Sequence, residues 1–417
     1  MFYGWWILAL VFLSSSFYGA AVVYGFTAFI NPLVDEFGWS YTAISIIASI
    51  RGLEVGLIDI AAGLLFDRFG SRKVVFISYI LVGLGFLILS RINSLALFYL
   101  LFIIIFMGGS SLGHIFVLYA IAHWFRKRLG LALGIAMAGY ATGGFAVPLI
   151  VYLIDSVGLQ STFVIFGLAA LILSVIMVGF LRNRPEDIGS TPDGIPEEEF
   201  QEASTELQTD NVAVKNLHRD YSLREALANP AFWILIYLGS SLSFSVLMVI
   251  THVMPYLEHI GYTRSLAGVV AMMIPVMSIL GRLGVGWVSD FISVKTIFIT
   301  CLICQAVGVL SFLNAKILFI LVPSVILFGI AYGGGVVVRL RILKDYYGRT
   351  SIGSITGFYM GAHNLFALFG PLLGGLVFDT MGSYDIAWFV NLALLIFGMP
   401  MMLVMKNPQT PRASNPP

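Results

Sequence analysis

Apolar residues in this chain run in stretches longer than a soluble helix needs, and polar residues gather in narrow bands between them. A bilayer core about 30 Å thick is crossed by roughly 20 helical residues. Twelve runs near that length stand out, at approximately 5–30, 40–65, 74–90, 96–122, 130–154, 161–181, 231–257, 264–289, 295–313, 317–342, 351–378 and 384–404. The first is too long, and too polar at its far end, for a cleaved leader, and no small-residue cleavage site follows it. It is expected to remain as a helix. One long polar segment, 181–230, is rich in Pro, Glu, Asp, Ser and Thr and cannot bury enough apolar surface to fold alone. Only "SLREALANP" within it reads as a short surface helix. The pattern predicts an all-α polytopic membrane protein with an N-terminal six-helix bundle at 1–182, a linker at 183–229 and a C-terminal six-helix bundle at 230–417.

Composition supports a lipid solvent. The 417 residues are 59% hydrophobic and 11% charged, against roughly 45–50% and 25% in soluble domains. A net charge of +1 offers nothing to nucleic acid. The two cysteines, Cys301 and Cys304, have C-x-x-C spacing but no other soft ligand nearby, and read as small apolar residues on a membrane helix. No nucleophile–base set or metal-ligand cluster appears at usable spacing, so neither an enzyme nor a cofactor or metal site is expected.

Basic residues in short loops set the expected orientation. Arg68, Arg72 and Lys73 follow the second run, Arg126, Lys127 and Arg128 the fourth, Lys295 the eighth, and Arg341, Lys344 and Arg349 the tenth. The alternate loops hold mainly Asp35, Glu36, Asp155, Asp379 and Asp385. Both termini and the linker are therefore expected on the cytoplasmic side of an inner or plasma membrane.

Charge also marks a repeat. "GLLFDRFGSRKV", from Gly63, and "GWVSDFISVKTI", from Gly286, share a skeleton and lie 223 positions apart. The same displacement relates Gly130 to Gly353, Gly134 to Gly357 and Pro148 to Pro371. Phe106 and Gly113 match Phe328 and Gly335 at 222. Two duplicated six-helix halves with a substrate site near mid-membrane are one established transporter plan. "GLLFDRFGSRK" resembles the signature loop of the major facilitator superfamily, G-x-L-x-D-R-x-G-x-R-K. The resemblance implies that fold, and a cytoplasmic latch here made of Asp67, Arg68, Arg72, Asp290 and Lys295.

Charges within the spans identify candidate chemistry, because each is unfavourable in hydrocarbon. Arg282 lies eight residues before Asp290, about 12 Å in from the helix end. A permanently charged guanidinium can hold a carboxylate by two parallel hydrogen bonds. "FYGWWILALVFLSSSFYGAAVVYGFTAFINPLVDEFGWS", "NRPEDIGSTPDG" and "GAHNLFALFGPLLGGLVFDTMGSYDIAW" are similar to bacterial monocarboxylate-transporter-like and oxalate/formate-exchanger-like facilitators. That similarity implies that Arg282 binds the substrate carboxylate. It also puts His363 where the oxalate exchangers have a lysine. Ser278 stands where eukaryotic monocarboxylate transporters have an Asp, and their helix 1 lysine has no counterpart in "YGFTAF". A coupled proton then needs another carrier, and Asp59, His363 and Glu54 are the candidates. Asp59 is the repeat mate of Arg282, and Glu54 is spaced to pair with Arg51.

Second-rank candidates are His252, at the end of the stripe Ser241, Ser245, His252, with His114, Tyr119, Tyr18, Tyr24 and Tyr332. The expected function is secondary active transport of small monocarboxylates of the lactate or pyruvate type, with a proton as co-substrate, by a monomer in the lipid bilayer using alternating access. The alternatives are an oxalate/formate-type anion exchanger and a drug efflux antiporter. Val147-Pro148, in place of a Gly-Pro motif, weakens the latter. A non-transporting sensor is weakened by the latch motifs in both halves.

Overall fold

A computed structural model describes residues 2–53, 59–112, 114–125, 128–194, 221–289, 291–348, 352–406 and 408. Among them every regular element is helical. Helices α1 (Gly4–Tyr18) and α2 (Phe26–Phe37) continue through a π-helical turn, Gly19–Tyr24. Then follow α3 (Tyr41–Leu53), α4 (Asp59–Leu89), α5 (Leu95–Ser110), α6 (His114–Trp124), α7 (Leu129–Thr142), α8 (Ala146–Val157) and α9 (Leu159–Phe180). After the linker come α10 (Leu223–Leu227), α11 (Pro230–His259), α12 (Arg264–Val288), α13 (Val294–Phe312), α14 (Leu318–Tyr347), α15 (Ile352–Ala367), α16 (Phe369–Met381) and α17 (Asp385–Val404). Ten helices among the described residues are long and apolar enough to cross a membrane, and shorter apolar helices at Tyr41–Ile50 and Leu95–Gly109 occupy the second and fourth predicted runs. Large apolar side chains such as Leu283, Trp287 and Phe319 stand exposed, an arrangement suited to lipid rather than water.

Where an ordinary loop was expected, between the second and third runs, helix persists on both sides of a single break. Gly70 takes φ 74° and ψ 163° inside α4, a conformation open mainly to glycine. A β-carbon there would meet the Asn183 side chain at 2.8 Å. Asn183 Oδ1 accepts from Arg72 N (2.9 Å) and Ser71 Oγ (3.2 Å), so it caps the helix that restarts after the break. The signature glycine is thus a hinge point that lets one helix stop and another begin without a loop. In the linker, Ser222 and Glu225 form a reciprocal capping box at α10, as expected from "SLREALANP".

The chain forms two compact units. One comprises Met1–Ile195 with Leu247–Val276 and Leu368–Tyr384. Its interior includes Phe29, Phe86, Phe163 and Phe166, with Phe29 and Phe163 ring centroids 5.1 Å apart. The other comprises Pro196–Val246, Met277–Ala367 and Asp385–Pro417, and stacks Phe312 on Trp388 at 4.8 Å.

Candidate functional site

In the second unit, α12 and α14 cross with almost no side chain between them. A β-carbon on Gly333 would strike the Ser278 carbonyl, and one on Gly281 the Ile330 carbonyl. This crossing buries Ser278 and brings Arg282 beside α14. The Arg282 guanidinium carbon lies 5.8 Å from the Tyr332 ring centroid, within cation–π range. Arg282 itself is half-buried. Three of the sequence candidates, Arg282, Ser278 and Tyr332, therefore meet at one crossing.

A second cation, Arg339, escaped the sequence reading. It sits on α14 eight residues before its end at Tyr347, or about 12 Å in, and is 8% exposed. Its Nε donates to the Gly335 carbonyl (2.9 Å) and its Nη1 to Ser243 Oγ (2.7 Å) and His363 Nε2 (3.4 Å). His363 is 3% exposed, and its Nδ1 donates to the Tyr359 carbonyl at 2.8 Å. A ring that donates from Nδ1 and accepts at Nε2 is the neutral tautomer. Tyr359 is buried against Gly239, where a β-carbon would strike its hydroxyl. Helices α11, α14 and α15 are thereby held close around the guanidinium. Arg339 stands as many residues inside the end of α14 as Arg282 stands before Asp290. It was obscured by Arg341 and Lys344, which read in the sequence as charges following the tenth run although α14 continues to Tyr347.

His252 lies in the first unit, in a sealed polar seam. Its Nε2 donates to the Pro371 carbonyl (2.8 Å) and approaches Ser45 Oγ (3.3 Å), while Nδ1 is 3.3 Å from the Tyr384 hydroxyl. Burial, then the Tyr41 phenol and the Asp379 carboxylate, push the Tyr384 phenol well above its ordinary range. Its proton is therefore available to Nδ1. The seam continues through Thr27 to the Thr251 carbonyl (2.9 Å) and Asn31 to Glu258 (2.9 Å). The Asp379 carboxylate accepts from Tyr41 N (3.0 Å), Thr42 N (2.7 Å) and the Thr42 hydroxyl, at the start of α3. Arg264 donates to the Ala28 carbonyl (2.7 Å) and pairs with Asp155 at 3.5 Å.

The remaining candidates are dispersed. Ser241 donates to its own helix at Leu238, and Ser245 Oγ is buried with no partner among the described residues. The rings of Tyr18 and Tyr24 both lie 5.8 Å from Tyr140. Tyr119 is 5.2 Å from the Phe66 ring and 4.4 Å from His123. In the signature loop Arg68 lies over Phe69, and Arg72 Nε donates to the Val178 carbonyl at 2.8 Å. Lys295 donates to the Met405 carbonyl. Glu54 and Asp290 lie outside the described residues, as do the side chains of Arg51, Asp59, Asp67 and His114. Cys301 and Cys304 are free, and no group of three His, Cys, Asp or Glu among the described residues could hold a metal.

Comparison with known proteins gives a family. A family model described as Major Facilitator Superfamily matches residues 5–290 and 253–417. Human monocarboxylate transporter 10 is 26% identical over 328 residues, 78% of this chain and 62% of that protein. The oxalate:formate antiporter of Oxalobacter formigenes is 24% identical over 403 residues, 92% of this chain and 88% of that one. Among solved structures, a D-xylose-proton symporter superposes with a TM-score of 0.74 at 13% identity, covering 98% of this chain and 99% of that one.

Proposed function

The chain belongs to the Major Facilitator Superfamily, and from that membership we propose that this membrane transporter carries small monocarboxylates together with a proton. The observation that carries the cargo assignment is Arg282, a permanent cation half-buried in the spans with its guanidinium against the Tyr332 ring. A carboxylate accepts two parallel N–H donors from such a fork. The aromatic body beside it suits a short apolar tail. The printed names of two relatives, a monocarboxylate transporter and an oxalate:formate antiporter, support a carboxylate cargo.

In this reading both termini face the cytoplasm, and the latch is formed by Asp67, Arg68, Arg72, Asp290 and Lys295. The polar seam around His252 and Asp379 is the closure that must part when the opposite side of the membrane gains access. His363 or Asp59 takes up the proton. Protonation of His363 would turn its Nε2 from acceptor to donor and break its bond with Arg339, coupling proton loading to the cluster.

Uptake of labelled lactate, pyruvate, oxalate and formate into proteoliposomes, with and without an inward proton gradient, tests the proposal. Lactate and pyruvate are expected to accumulate, and the gradient to raise the initial rate. Accumulation of oxalate that is stimulated by internal formate and indifferent to the gradient would replace symport by exchange. If Asp59→Asn and His363→Gln both retained full gradient-driven uptake, the proton assignment would be wrong.

A further inference from the structure

The repeat displacement of 223 carries Pro32, Asp35 and Gly38 at the end of α2 onto Pro255, Glu258 and Gly261 at the end of α11. Both prolines lie inside their helices, and both glycines take positive φ, 67° and 103°. The duplication therefore sets two carboxylates at corresponding positions of related helices. Both helix ends belong to the first unit.

Glu258 is half-buried and has no ion pair among the described residues. Its Oε2 accepts from the neutral Asn31 amide, and Tyr41 orients that amide by donating to Asn31 Oδ1, each at 2.9 Å. The charges acting on Glu258 from the surrounding elements are Arg264 of α12, Asp155 of α8 and Asp35 of α2. Tyr41 of α3 adds a phenol, on which Asp379 of α16 acts as well. Arg264 directs its guanidinium to the Asp155 carboxylate at 3.5 Å and the Ala28 carbonyl at 2.7 Å. Three carboxylates thus share one cation, which Asp155 already holds. Like charges gathered in this way disfavour ionisation of all of them together. Parting the helices would hydrate Glu258 and relax the repulsion, whereas closing them on an ionised Glu258 restores both penalties.

From this geometry we propose that Glu258 is a proton-binding site, and that the proton it takes favours the closed seam. The neutral acid keeps an Asn31 bond and drops the repulsion from Asp35 and Asp155. What it forfeits is attraction to an arginine already paired. Closure is therefore strengthened as pH falls through the range in which Glu258 takes its proton, and weakened as pH rises through it. Asp155 and Asp379 act in the opposite sense, because their ionised forms hold Arg264 and α3, so strongly acid conditions should loosen the seam again. The inference rests on the seam being the closure described above, and is independent of the cargo. It assigns a gating proton distinct from the one given to His363 or Asp59.

The test measures distances by pulsed dipolar spectroscopy on the full-length protein in nanodiscs, without substrate. Spin labels are placed at Ser161→Cys on α9 and Met381→Cys on α16, both exposed, with Cys301→Ser and Cys304→Ser as background. The short-distance population should rise severalfold from mildly alkaline to mildly acid buffer. Glu258→Gln, a permanently neutral amide, should keep the acid distribution throughout. Asp35→Asn removes one like charge at an exposed position without touching the Asn31 bond. It should move the midpoint down by roughly 0.2–0.7 of a pH unit, the worth of a screened surface charge pair. If Glu258→Gln is not recovered as folded protein, Asp35→Asn decides alone.

The inference is overturned if the distances ignore pH in this range or if mild acid lengthens them. It is equally overturned if Glu258→Gln keeps the wild-type response or if Asp35→Asn leaves the midpoint unmoved. Distances that ignore pH but shift when lactate is added remove this inference and leave the seam as the closure. A pH-dependent closure abolished by Glu258→Gln, in a protein that takes up no lactate or pyruvate, supports it and removes the monocarboxylate reading.

Discussion

At the scale of single residues, this protein concentrates its chemistry in a few polar groups placed where the surrounding medium magnifies them. Arg282 keeps contact with an aromatic ring, Arg339 is held by neutral acceptors, and His252 is satisfied on both ring nitrogens. An arginine fork and a lysine ammonium differ in shape more than in charge. Arg282→Lys is therefore expected to raise the KM for lactate by about tenfold or more, as one of two charge-assisted bonds is lost, with little change in the amount of folded protein. Equal lactate affinity in this variant would show that simple attraction, not a two-point grip, holds the acid. Arg282 was legible in the sequence because it stands eight residues from a loop aspartate in an otherwise apolar helix. Arg339 stood as far from its helix end but among other basic residues, and hydropathy does not distinguish a buried arginine from an exposed basic neighbour such as Lys344.

At the scale of elements, helix ends are handled by residues distant in the chain. Gly70 and Asn183 are brought together across more than a hundred positions, and Asp379 caps the start of α3 from α16. Gly70→Ala combines a positive φ with a clash at Asn183, so it should lower stability by about 1–3 kcal/mol. A thermal unfolding scan of the purified protein would register the loss, and an unchanged midpoint would refute the hinge description. Asp379→Asn removes the negative charge from the N-terminus of α3 and weakens the seam by about 1 kcal/mol. The expected consequence is faster labelling of Ser45→Cys by a membrane-impermeant thiol reagent when Asp379→Asn is added, since Ser45 sits within the seam beside His252. A labelling rate indifferent to Asp379 would remove that carboxylate from the closure. Gly70 falls within the signature motif, which the sequence suggested to be a loop. Its actual role, a sharp break within continuous helix, depends on Asn183 arriving from another helix.

At the scale of the whole molecule, the chain is a multi-pass member of the Major Facilitator Superfamily, and the apolar runs read from sequence correspond closely to its helices. The reason is local. A span must shield its own backbone hydrogen bonds from lipid over about 20 residues, so its existence and limits are written in those residues alone. The duplication is also legible, because it copies positions at a displacement of 222 or 223 residues. What only the tertiary structure decided is partnership: that Arg339 is buried against Ser243 and His363, that His252 is consumed by Pro371, Ser45 and Tyr384, and that Asp379 serves α3. Each depends on contacts between residues many positions apart, and the fit of small residues such as Gly281 and Gly333 sets which helices approach closely enough to make them. Hydropathy records how much of a side chain prefers lipid to water, and carries no information about which neighbour a buried polar atom meets.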